Sequence, residues 1–104
     1  MPVGEKTITL DSGCNPLQPR VPLGVQERDV RWTRNDGGAV IKVTISNPET
    51  FFDVPGRRDG DDYVIHYNGA GRPPLRTWGY SPKCQGGSVV DKAEEPPQMT
   101  NGPG

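Results

Sequence analysis

Residues 30–52, VRWTRNDGGAVIKVTISNPETFF, carry the longest run of alternating apolar and polar side chains in the chain. Ala39, Ile41, Val43 and Ile45 fall on one side of an extended segment, and Val40, Lys42, Thr44 and Ser46 on the other. Residues two apart share a face of a strand, so the pattern predicts a sheet with one side packed inward and the other largely wet. Val30 and Trp32 repeat the alternation in VRWTR. The NDGG between the two runs is rich in residues that accept positive φ, which predicts a hairpin turn.

Working outward, EKTITL at 5–10 places Ile8 and Leu10 on one face of a first strand, which ends in the turn chemistry of DSGCNP. PLQPRVPLG at 16–24 contains three prolines, which cannot donate to a ladder, so it reads as an edge or an irregular crossing with Val21, Leu23 and Val25 available to the core. Phe51 and Phe52 are adjacent and must point to opposite sides of an extended chain. RRDGDD reads as a solvated turn. YVIHY at 63–67 is a second clear strand, with Tyr63, Ile65 and Tyr67 on one face and Val64 and His66 on the other. NGAGRPPLR is a constrained loop leading into TWGYSPKC. From Asp91 on, DKAEEPPQMTNGPG has no periodicity. The expectation is one β-sandwich domain over residues 1–90 and a disordered tail over 91–104.

The composition agrees with an all-β reading. Of 104 residues only 31% are hydrophobic, and 14 Gly with 12 Pro break every window in which an amphipathic helix could form. A chain of this length has a modest core. The formal net charge of −1 lacks the cationic surplus of a nucleic-acid binder, so no nucleic-acid partner is expected. No apolar run approaches the roughly 20 residues that span a bilayer, and no apolar stretch of the signal-peptide kind is present.

The two cysteines, Cys14 and Cys84, both lie in turn-rich polar settings rather than in apolar runs, which favours a disulfide. That bond implies a secreted, periplasmic or cell-surface location. Chemistry is scarce otherwise. A single His, His66, sits within a strand with no nucleophile motif beside it, so no catalytic residues are assigned. Zinc sites need more Cys and His ligands than the chain holds, so neither a metal nor another cofactor is expected. An enzyme or metal site centred on His66 would need a free thiol or a metal within reach.

The rings are more suggestive. Trp32, Tyr63 and Tyr67 read as core, whereas Trp78 and Tyr80 fall in a Gly/Pro-bounded loop near Arg72 and Arg76. Flat rings beside planar cations stack sugars or anchor proteins, which makes Arg72, Arg76, Trp78 and Tyr80 the candidate binding surface.

The order of these strands, with a Val-x-Trp strand, a Phe before a Pro-containing loop and a late Tyr-rich strand, resembles the Greek-key sandwiches of the cupredoxin-like group over residues 5–90. The Cys14, Trp32, Cys84 order also resembles the immunoglobulin-like group, although Cys14 follows its strand rather than lying in it. A blue-copper site needs two His, a Cys and an axial ligand, and only His66 is available. The resemblance therefore implies a metal-free member, that is, a non-enzymatic binding or structural module with an unknown protein partner, or alternatively a carbohydrate-binding module built on the loop rings.

Overall fold

Alternation is realised as eight strands in a computed structural model that describes residues 4–69, 75–85 and 97–101. They are β1 (Gly4–Leu10), β2 (Arg20–Pro22), β3 (Arg28–Arg34), β4 (Val40–Ile45), β5 (Arg57–Asp59), β6 (Asp62–Tyr67), β7 (Thr77–Cys84) and β8 (Gln98–Thr100). Two four-stranded sheets result, ordered β1-β3-β6-β5 and β2-β8-β7-β4. Each is mixed: β1 lies parallel to β3 and β2 parallel to β8, while the other neighbours are antiparallel. Parallel neighbours arise because the chain crosses to the other sheet between them.

The core is the set of inward residues from both layers. Ile8, Leu10, Val30, Trp32, Tyr63, Ile65 and Tyr67 come from the first sheet, and Val21, Val43, Ile45, Trp78, Tyr80 and Met99 from the second. Phe52 packs on Tyr67 and edge-on to Trp78, closing one end. Val64 is buried on the outer face, where its cross-strand neighbours are Arg31 and Arg57. Long arginine stems shield such a residue while their heads stay wet.

The Cys14–Cys84 disulfide joins the loop after β1 to the end of β7, and so ties one sheet to the other. Asp11 shapes that loop, its Oδ1 accepting the N–H of Gly13 at 2.9 Å and of Asn15 at 3.0 Å. Arg34 spans the same junction, donating to Ser12 O and Gln85 O, both at 3.2 Å.

Several expectations are corrected. NDGG does not make a hairpin: β3 and β4 belong to different sheets, and the turn carries the chain across the sandwich. A bulge between Val40 and Lys42 resets the alternation of β4, so that Val40 is buried and Ile41 faces outward. A bulge adds one residue to one strand and reverses the facing of what precedes it. RRDGDD is β5 and the turn into β6 rather than a free loop. Val21, on an edge strand whose Pro22 leaves the ladder intact, and Leu23, just after it, are buried as expected, but Val25 is exposed. Gln98–Thr100, assigned to the disordered tail, form β8 between β2 and β7 with Met99 fully buried. The short apolar content of QMT hid a strand whose place is set by its neighbours. Residues 86–96 lie outside the described residues.

Candidate functional site

The expected binding residues part company. TWGYSPKC is a strand, not a loop, and its alternate residues Trp78 and Tyr80 point into the core, 3% and 1% exposed. Tyr80 packs edge-on against Trp32 with centroids 5.4 Å apart. Its hydroxyl and the Trp32 indole nitrogen are both buried without a hydrogen bond of good geometry. Burial pushes the Tyr80 phenol well up, with the Trp32 indole opposing in part. Neither ring offers a face to a ligand. Arg72 lies outside the described residues.

Arg76 stays at the surface and is held there. Its backbone N–H donates to Asn101 Oδ1 at 2.7 Å, and Asn101 N–H donates back to Arg76 O at 3.2 Å. The guanidinium lies 4.9 Å over the Phe51 ring and pairs with Glu49 at 3.5 Å. Asn47, Glu49, Arg76, Thr77 and Trp78 line a cleft of about 200 Å³. Asn47 and Glu49 both hold positive φ, at 51° and 48°.

His66 lies on the outer face of the first sheet, bracketed by two carboxylates. Nδ1 is 2.7 Å from Asp29 and Nε2 is 2.6 Å from Glu27. Asp29, its cross-strand partner, and then Glu27 raise the imidazole pKa, against a smaller opposing effect of burial. Both sulfurs are joined to each other, so His66 has no thiol to work with. Beside it Arg31 binds Asp59, Asp62 and Glu5 at 2.7, 2.9 and 3.1 Å, which raises the guanidinium pKa and lowers that of Asp59. Among the described residues no cluster of three or more His, Cys, Asp or Glu could hold a metal.

A feature the sequence did not reveal is the free edge of β4. Among the described residues this strand pairs with β7 on one side only. Ser46 N–H donates to Gly79 O, so by the alternation of an antiparallel ladder Lys42 and Thr44 also bond across to β7, and Val43 and Ile45 turn their N–H and C=O groups away from it. The partners agree: Tyr80, opposite Ile45, donates its N–H to Pro97 on its other side, and Pro82, opposite Val43, has no N–H. Beside this edge runs a groove of about 320 Å³, lined by Lys42–Ile45 and by Pro48, Val54 and Pro55. Val54 is 44% exposed, and the Val54–Pro55 bond is cis. β4 lacks the prolines that mark residues 16–24 as an edge, so its own position depends on which strands become its neighbours.

No family model matches the chain, nor does any curated protein or solved structure.

Proposed function

We propose that this protein is a non-enzymatic binding module of the cell exterior that takes up an extended segment of a partner protein as an added strand on the free edge of β4. The outward N–H and C=O groups of Val43 and Ile45 beside the apolar groove carry this reading. Unpaired edge groups are a template for another strand, and natural sheets normally blunt them. The chain's other edges are blunted in those ways: β2 has three residues with Arg20 and Pro22, β5 has three with two arginines, and the end of β1 is covered where Leu17 N–H donates to Thr9 O. β4 has six residues and a single cation, and although its start is covered where Val40 N–H donates to Asp61 O, the stretch with Val43 and Ile45 carries none of these devices. Main-chain bonds supply affinity in such a mode, and alternate side chains entering the groove supply selection. Lys42 on the groove wall favours a segment with a carboxylate beside its apolar residues.

The disulfide supports an oxidising compartment. The engagement of both His66 nitrogens by carboxylates and of both sulfurs by each other supports a non-enzymatic, metal-free role. Two packed sheets with repeated crossings support the cupredoxin-like or immunoglobulin-like Greek-key assignment, which belongs to this proposal. A carbohydrate platform made of Trp78 and Tyr80 finds no exposed ring face.

The test is selection of displayed eight- to ten-residue peptides (roughly the length of a strand) on the intact protein, followed by NMR mapping. Selected peptides are expected to shift the amides of Val43 and Ile45 and to lose binding to Val54→Lys, which fills the groove without touching the core. Peptides that bind Val54→Lys equally well, or that map elsewhere, overturn the proposal. So does a concentration-dependent dimer that Val54→Lys dissolves, since the occupant would then be a second copy.

A further inference from the structure

The cleft between the β4–β5 connection and the start of β7 is separate from the β4 groove, and it contains a conformational oddity. Asn47 and Glu49 both occupy the left-handed region. Asparagine visits that region readily, whereas glutamate does not, and glycine would fit there without strain. Strained residues of this kind persist where the surroundings fix them, and they gather at functional sites. Among the described residues the Glu49 side chain pairs with Arg76 at 3.5 Å, with the two side chains 55% and 40% exposed. An exposed ion pair that long stabilises little, so it does not account for a glutamate at this position. Arg76 is meanwhile fixed from two sides, its main chain by the bonds exchanged with Asn101 Oδ1 and Asn101 N–H, and its guanidinium by the Phe51 ring beneath it. A cation held in place before any ligand arrives loses less freedom on binding.

We infer that this cleft is a binding site for one sugar ring, in which Glu49 accepts from a pair of adjacent hydroxyls, Arg76 donates to them, and Asn47 and Thr77 bond the remaining ones. Charge decides between ligand classes. Arg76 and Glu49 offset one another, so a simple anion gains little from Arg76 and meets the Glu49 carboxylate. A neutral polyol, each hydroxyl both donor and acceptor, matches a carboxylate and a guanidinium set side by side. The volume of about 200 Å³ suits a single ring. The inference does not rest on strand addition at β4.

Saturation-transfer NMR on the intact protein tests it, with glucose, galactose, mannose and N-acetylglucosamine as separate probes and glycine and acetate as controls. Transfer to at least one sugar is expected, with the affinity falling at least tenfold in Glu49→Gln. Glu49→Gly separates binding from folding: it loses the sugar yet melts no lower than the parent, because the left-handed strain is relieved. Absence of transfer to every sugar overturns the inference. Transfer undiminished in both variants, or saturation of the controls in place of the sugars, does so as well.

Discussion

Removing the bridge by Cys14→Ala with Cys84→Ala tests how this small core is held. The bridged residues are 70 positions apart. In the chain-entropy description a loop of that length removes enough freedom from the unfolded chain to stabilise the fold by roughly 4 kcal/mol. A domain of this kind has in total about 5–15 kcal/mol, so the loss is a large fraction of it. Because the bond joins the two sheets, no other strand pairing compensates. With an unfolding entropy near 2 cal/mol/K per residue, the midpoint should fall by roughly 15–30 °C. Thermal melting by circular dichroism, with and without reductant, measures this directly. A double variant melting within about 5 °C of the oxidised parent would refute the reasoning, since that is only about 1 kcal/mol on the same scale.

Further expectations follow from individual contacts. Tyr80→Phe removes a buried hydroxyl with no good hydrogen bond, so stability should stay level or rise by about 1 kcal/mol; a clear loss in denaturant titration would show that the hydroxyl and Trp32 are paired after all. Gly56 has φ +86°, and an added Cβ would lie 2.6 Å from Val64 O and 2.5 Å from Ile65 Cγ1, so Gly56→Ala should destabilise by about 2 kcal/mol or more, and an unchanged melt would contradict the packing there. His66 has a folded pKa raised by Asp29 and Glu27, so its contribution is complete below the unfolded value of about 6.5 and is lost as pH rises through the folded one. Stability followed across that window should decline in the parent and lose that part of its slope in His66→Gln; equal slopes would remove His66 from the account.

Much of the fold was legible because burial writes itself into side-chain period. β1, β3 and β6 could be read from Ile8/Leu10, Val30/Trp32 and Tyr63/Ile65/Tyr67, and Cys14 and Cys84 from their settings. What escaped depends on neighbours rather than on local sequence. The bulge at Val40 inverts a facing without changing composition, and β8 is three residues whose order comes from lying between β2 and β7. The crossing at NDGG has the turn chemistry of a hairpin, and only the sheet assignment distinguishes the two. At the candidate sites the sequence found Arg76 and missed Glu49, because a left-handed glutamate leaves no mark in the letters. It took Trp78 and Tyr80 for surface because Gly79 and Pro82 suggested a loop where a strand forms. The β4 edge was invisible for the same reason as β8: pairing on one side only is a property of the assembled sheet.

Amide hydrogen exchange along β4 tests the free edge more directly than any variant. With Lys42 and Thr44 bonded to β7 and Val43 and Ile45 facing away from it, exchange should alternate, slow at the first two amides and fast at the last two. Uniform protection of all four in the isolated protein would mean that the edge is already occupied, and strand addition there would have to be abandoned.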